Sequence, residues 1–291
     1  MGDRIVITGA GGQVGRCLAV EAARRGVDVL PLTSSQWDIT DPAAGENVVA
    51  AGDVVVNCAA FTAVDAAEAD PEGAHAVNAA GAGNVARCCA RAGARLIHIS
   101  TDYVFGGRVE SPPRPYDIGD EPAPLSVYGR SKLAGEQAVH AELPTAHVVR
   151  TAWVYTGTGN DFVASIGRRA MGDETVDVVA DQIGSPTYVV DLVSALLQVA
   201  DGGISAPLLH AANAGAVSRF EQAQAVFAAL GADPDLVRPV SGDHRPRPAP
   251  RPTYSALSSR GSAAAGLTPL RPWRDALAEA LREARPLPST P

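Results

Sequence analysis

Two side chains four residues apart, Tyr128 and Lys132, present the most suggestive chemistry in the chain. On a helix that spacing puts both on one face. A phenol with an unperturbed pKa near ~10 is a poor acid or base at neutral pH. An ammonium held beside it favours the phenolate and is expected to lower that value. Such a Tyr can hand a proton to a carbonyl oxygen as hydride reaches the carbon, a form of general acid catalysis worth ~10²–10⁴-fold. Thr101 lies just past the expected strand Arg95-Leu-Ile-His-Ile99 and brings a hydroxyl that would hold the same oxygen. Tyr and Lys at this spacing are common on helices, so the pair takes its meaning from the elements that position it.

The chain opens with one such element. Ile5-Val-Ile7 is an apolar run of the kind buried on both faces of a parallel sheet. Gly9, Gly12 and Gly15 follow three apart, and then a helix-compatible stretch from Cys17 to Arg25. Strand, tight turn and helix in that order aim the first helical N–H groups at an anion. Gly9 permits the turn, Gly12 lets a pyrophosphate approach, and Gly15 lets helix and strand pack closely. Val14 stands where the commoner dinucleotide fingerprint has its third Gly. A second strand over residues 27–32 ends in Thr33-Ser34-Ser35, with Arg16 nearby. An acidic residue there would bind a ribose 2′-OH and repel a 2′-phosphate. Hydroxyls tolerate, and mildly favour, the phosphorylated cofactor.

Further along, Asp38-Ile-Thr-Asp41-Pro42 reads as a turn into a helix, with Asp41 as N-cap and Pro42 at the first helical position. Asp38 either faces an adenine or makes a local turn bond. Strands are expected over residues 53–60, 95–99 and 146–150, and helices from Asn78 to Arg91 and from Ser126. This alternation predicts an α/β fold, a doubly wound parallel Rossmann-type sheet over residues 1–155. Residues 156–291 read mainly as a smaller C-terminal α/β substrate domain, with a strand and helix around 188–212 packing back onto the sheet. That region is expected to hold a strand at 176–180, a loop at 181–187 and helices at 188–200, 219–230 and 273–284. The basic run from His244 to Pro252 reads as a solvated polyproline linker, or as an Arg source for a substrate diphosphate. The Pro-rich stretch at 111–124 reads as a surface loop, and the tail after residue 284 as disordered.

Composition narrows the class. Over 291 residues, 46% are apolar and 19% charged, as in an ordinary soluble globule. A formal net charge of −8 argues against a nucleic-acid binder. No apolar run approaches the roughly 20 residues of a membrane span, and no signal peptide is recognisable. Cys17, Cys58, Cys88 and Cys89 lack CxxC spacing and read as small apolar residues in a reducing compartment. A cytoplasmic protein is expected.

Thr8-Gly9-x-x-Gly12-x-x-Gly15, Thr101 and Tyr128-x-x-x-Lys132 together resemble the extended short-chain dehydrogenase/reductases. Within them the chain is similar to the dTDP-4-dehydrorhamnose reductase family. The segments that carry this likeness include Asp38-Ile-Thr-Asp41, Thr62-Ala-Val-Asp65-x-x-Glu68 and Ser100-Thr-Asp-Tyr-Val-Phe105. Arg150-Thr-x-Trp153-Val-Tyr155 and Asp181-Gln-x-Gly184-x-Pro186-Thr187 extend it over nearly the whole chain. The resemblance implies reduction of the C4 ketone of dTDP-4-dehydro-β-L-rhamnose to dTDP-L-rhamnose with NADPH, NADH also being accepted. It makes Tyr128 the proton donor, Lys132 the ribose anchor and Thr101 the tuner of the carbonyl site. Asp102 and Trp153 would contact the sugar nucleotide. Gly9, Gly12, Gln13, Val14, Gly15, Asp38, Ile39, Ala59, Ala60 and Thr62 would line the dinucleotide, together with Tyr128 and Lys132. Ala152 departs from a common Ser and Phe61 from a common His. Some members hold Mg²⁺ at a dimer interface, but without a carboxylate cluster no metal site is expected here. The implied protein is a monomer or homodimer.

Three other readings are weighed on the sequence. A regulatory subunit of the methionine adenosyltransferase β type would bind the dinucleotide without turnover. Dehydratases of this fold resemble Ser-Thr-Asp-Glu at the strand edge, where this chain has Tyr103, and a 4-epimerase would retain its cofactor tightly.

Overall fold

Ile5, Val6 and Ile7 are all buried, as are Val54, Val55 and Val56, because both faces of their sheet are covered. A computed structural model describes residues 4–107, 113–244 and 246–284. Its central sheet comprises β1 (Ile5–Thr8), β2 (Val29–Pro31), β3 (Val54–Asn57), β4 (Arg95–Thr101), β5 (His147–Thr151) and an edge strand, Leu208–His210. These six strands run parallel in the order edge strand–β5–β4–β3–β1–β2. The crossovers are α1 (Gln13–Arg24), α2 (Val64–Ala69), α3 (Pro71–His75), α4 (Ala82–Ala92) and α5 (Val127–Glu142).

Alternate strand residues feed two cores. Ile5, Ile7, Val56 and Ile97 pack with Leu18 of α1 and with Leu192 and Leu196 of a later helix, α7 (α6 being Phe162–Arg169, α7 Val189–Ala200). On the other face Val6, Val55, Leu96 and Val148 meet Val85 and Cys89 of α4 and Val139 of α5. Each such side chain contributes roughly 1.5–3 kcal/mol of burial, which makes the sheet a rigid platform for its carboxyl edge. The later segment thus returns to the sheet: α7 lies on the α1 face, and Leu208 pairs with Val148.

The remaining residues build a smaller lobe over the carboxyl edge. Val176–Val179 pairs in parallel with Val237–Val240, beside α6 and α8 (Arg219–Leu230). Helix α8 starts at a capping box, in which Ser218 and Glu221 satisfy each other's backbone N–H groups.

Several local expectations need correction. No regular helix follows Asp41: the Asp41 carboxylate accepts from Ala43 N, and successive i→i+3 bonds carry the chain through turns to Val48. Asn78 lies inside a π-helical segment, Ala76–Gly81, instead of starting a helix. Within the expected loop at 181–187, Ile183–Gly184 pairs with Val217–Ser218, and Thr187–Tyr188 pairs with Val154–Tyr155. The tail after residue 284 and residues 111 and 112 of the Pro-rich stretch lie outside the described residues.

Candidate active site

Gly9 has φ +63, and a Cβ there would stand 2.6 Å from Ala59 N, so the turn between β1 and α1 needs glycine twice over. At Gly15 a Cβ would meet Gly9 O at 2.6 Å, which is the close helix–strand approach the spacing predicts. Gly12 is the N-cap of α1 and brings no side-chain acceptor, and the first turn carries no acidic residue. The leading N–H groups and the positive end of the helix dipole are therefore available to an anion. Arg16 on α1, with Thr33 and Ser34 beyond β2, borders the same space.

Helix α5 is fixed at its first turn by three neighbours. Ser126 Oγ accepts from Gly129 N at 3.1 Å, and Glu68 Oε1 accepts from Val127 N at 2.7 Å. Asn78, from the π-helical segment, donates to Ser131 Oγ at 2.9 Å and clasps both backbone groups of Phe61. These contacts set Tyr128 and Lys132 over the carboxyl ends of β3 and β4. Lys132 Nζ donates to Ile99 O at 2.7 Å and lies 3.4 Å from His98 Nε2. Burial draws this ammonium down to about 8, against the opposing pull of Glu136. Lys132 is also the only lysine in the sequence.

The Tyr128 phenol departs from the sequence expectation. Desolvation raises its pKa, and Asp102 and Tyr103 add to the rise. Thr101, within hydrogen-bonding reach, lowers it without reversing the sign. Lys132 shares the helix face but turns its charge toward the β4 backbone, and burial wins. Thr101 Oγ1 donates to Asp102 Oδ1 at 3.1 Å and accepts from Tyr103 N at 3.2 Å. Ser255 Oγ donates to Asp102 Oδ2 at 2.5 Å. Burial nevertheless pushes the Asp102 carboxyl up to about 6.

Trp153 is the one non-glycine residue among those described with positive φ, at 46°. The Arg219 guanidinium stacks 3.5 Å from its ring centroid, and the adjacent Phe162 ring is 4.7 Å from the same charge. Such strain persists only where surroundings hold it, and here the side chain is held at the cavity wall.

One cavity of about 880 Å³ unites these groups. Gly9, Gly12, Gln13, Val14, Gly15, Asp38, Ile39, Ala59, Ala60 and Thr62 line one part of it, and Thr101, Asp102, Tyr128, Lys132 and Trp153 line the rest. The residues named above for the dinucleotide, the reaction and the sugar nucleotide therefore reach the same space, whereas the described residues of the Arg-rich run at 244–252 do not line it. Asp38 does so while its carboxylate accepts from Thr40 N and Oγ1 at 2.9 and 2.7 Å, so it makes the local turn bond as well. Among the described residues no group of three His, Cys, Asp or Glu side chains is placed to hold a metal ion.

Sequence reasoning missed Arg219, and it noted Ser255 only within Arg251-Pro-Thr-Tyr-Ser255-x-Leu257, a loose echo of a family segment, without foreseeing its bond to Asp102 from 153 residues away. It gave no role to Asn57 or His98 and took Thr8 only as part of the glycine motif, although Thr8 and Asn57 each stand out as the one polar residue of an apolar strand. The Arg-Pro run is not a solvated linker at Arg251, which donates to both oxygens of Asp65 at 2.7 and 2.9 Å. Arg247 lies 3.6 Å from the same carboxylate.

A family model for the RmlD substrate binding domain matches residues 3–285. The chain is 61% identical over 298 residues to the dTDP-4-dehydrorhamnose reductase of Mycolicibacterium smegmatis, covering 100% of this chain and 90% of the relative. It is 65% identical over 281 residues to the enzyme of the same name from Mycobacterium tuberculosis, with 96% and 92% covered. A crystal structure of dTDP-4-dehydrorhamnose reductase from Bacillus anthracis in complex with NADP superposes with a TM-score of 0.92 at 37% identity, covering 98% of this chain and 100% of that one.

Proposed function

Because the chain belongs to the RmlD substrate binding domain family, we propose that it reduces the C4 ketone of dTDP-4-dehydro-β-L-rhamnose to dTDP-L-rhamnose with NADPH. The observation that carries this reading is the meeting of Tyr128, Lys132 and Thr101 with the glycine turn in one cavity. NADPH, when bound, supplies the hydride. The uncapped start of α1 fits its pyrophosphate, and Arg16, Thr33 and Ser34 fit a 2′-phosphate better than an acidic residue would.

The chain's own groups do the rest. Tyr128, kept protonated by desolvation, is the proton donor to the ketone oxygen. Thr101 holds that oxygen from the end of β4, and Lys132 anchors the nicotinamide ribose and balances the phenolate left by proton transfer. Asp102 and Trp153 contact the sugar nucleotide from the smaller lobe's side of the cavity. Tyr103 meets Tyr128 edge-on, with centroids 5.8 Å apart, where an eliminating enzyme would place a carboxylate.

The division of labour between a dinucleotide-binding region at residues 1–155, joined by 188–212, and a mainly substrate-binding region at 156–291 is part of this reading. So are a cytoplasmic location and action as a monomer or homodimer. Free cysteines at positions 17, 58, 88 and 89 suit a reducing compartment. Among the described residues no helix is long and apolar enough to cross a membrane.

The test couples a dTDP-glucose dehydratase and the epimerase that follows it to this protein with NADPH or NADH. Loss of the reduced-nicotinamide absorbance with formation of dTDP-L-rhamnose is expected, at lower KM with NADPH. Cofactor binding without turnover of the sugar would favour the regulatory-subunit reading.

A further inference from the structure

Three adjacent strands, β1, β3 and β4, each place one polar side chain at the same height of the sheet. Thr8 pairs with Asn57 and Asn57 with His98 in the registers of β1, β3 and β4. All three are buried, and the row ends at Lys132, which is buried too. Its hydrogen bonds fix a direction. Ala59 N–H can only donate, and it donates to Asn57 Oδ1 at 3.2 Å. The Thr8 hydroxyl donates to the same oxygen at 2.6 Å. Asn57 therefore presents its Nδ2 hydrogens to His98 Nδ1, 3.1 Å away.

A nitrogen that accepts carries no proton. Burial holds His98 well below its ordinary pKa, so the ring is neutral. A neutral imidazole with a bare Nδ1 keeps its proton on Nε2, aimed at Lys132 Nζ 3.4 Å away. Lys132 already donates to Ile99 O. A free amine has a lone pair to receive a second N–H, whereas an ammonium has only donors.

We infer that the Thr8–Asn57–His98 row locks His98 as a hydrogen-bond donor to Lys132 and so eases the release of the Lys132 proton. This makes His98 a positioning residue for the proposed reaction and rests on the reading of Lys132 as Tyr128's partner. The other groups around the amine act otherwise. Glu136 on α5 favours the ammonium but is held by Arg150, Cys58 at the end of β3 favours it too, and His140 on α5 faces His98. Apart from the six histidines every other basic side chain is an Arg, which does not titrate near neutrality, so Lys132 alone supplies an amine side chain that can lose a proton there. The ammonium is the form that balances a Tyr128 phenolate, so Lys132 deprotonation sets the basic limb of turnover.

Two NMR measurements on the full chain test this without any turnover, so they stand apart from the ketoreductase assay. In ¹⁵N-histidine protein, the His98 signal, assigned by its loss in His98→Phe, is expected as the Nε2–H tautomer. An Nδ1–H tautomer or an imidazolium would overturn the inference. Carbon-13 lysine labelling gives a single signal, and its titration reads Lys132 directly, with a midpoint expected at about 8. Asn57→Asp is expected to move the His98 proton to Nδ1, turn Nε2 into an acceptor and raise the midpoint by roughly one unit. If the rise is as large when Asn57→Asp is combined with His98→Phe, charge alone explains it and the inference fails. A smaller rise in the double variant supports the relay, which a purely structural role for His98 would not produce. In turnover, the basic limb of the kcat profile is expected to follow the same shift.

Discussion

Tyr128 can give a proton only while it holds one, and desolvation keeps the phenol loaded at neutral pH. Tyr128→Phe is expected to lower kcat by ~10²–10⁴-fold while leaving NADPH affinity unchanged, as read by steady-state kinetics and cofactor titration. Asp102 gives the second residue-level expectation. Burial raises its carboxyl from 3.8 to about 6 in the folded chain. Between those values the folded chain keeps a proton that the unfolded chain has released, so stability falls as pH rises through that window and the deficit persists above it. Asp102→Asn is therefore expected to raise the neutral-pH Tm by a few degrees in calorimetry, with less gain at pH near 4, while kcat/KM falls. Tyr128, Lys132 and Thr101 were legible in the sequence because a helical spacing and a strand end are local features. The direction of the phenol's shift was not, since spacing carries no information about desolvation or about which way an ammonium points.

Helix α5 depends on a buried ion pair as well as on its caps. Arg150 on β5 donates to both oxygens of Glu136 at 2.8 and 2.6 Å, and Ser100 Oγ on β4 donates to Oε1 at 2.5 Å. Removing one partner strands a buried charge, so Glu136→Ala is expected to cost about 3–5 kcal/mol in denaturant unfolding. Replacing both Glu136 and Arg150 with Met should cost less, because no unpaired charge remains. The sheet strands were legible at this scale because double-sided burial writes unbroken apolar runs such as Val54-Val-Val56. Helix α8 was legible over the same bounds, Arg219–Leu230, that the structure shows. The π-helical segment around Asn78 was not, because its cause is tertiary: the amide has to reach Phe61 and Ser131 together. Two-residue strands such as Ile183–Gly184 are set by distant partners, and a pattern of period two needs more length than that to show.

At the scale of the molecule, the smaller lobe is tied to the sheet's carboxyl edge through side chains far apart in sequence. Asp65 on α2 clamps Arg251 and accepts from Ala249 N at 3.2 Å, and Ser255 reaches Asp102. Arg251→Ala is expected to speed amide exchange at Ala249 in hydrogen-exchange mass spectrometry or NMR, and to raise KM for the sugar nucleotide several-fold with a smaller change in kcat. The motif Thr62-Ala-Val-Asp65-x-x-Glu68 thus serves architecture as much as ligand: Asp65 holds the C-terminal segment and Glu68 caps α5. Nothing in the spacing of those acids pointed to that use. All of these supports converge on delivery of hydride to one carbon above one phenol. The most direct test is a single turnover of dTDP-4-dehydro-β-L-rhamnose with NADPH deuterated at nicotinamide C4, the product being mapped by NMR. One deuterium at sugar C4, arriving ~10²–10⁴-fold more slowly in Tyr128→Phe, is the predicted result; deuterium at another carbon, or an unchanged transfer rate without the phenol, would contradict the account.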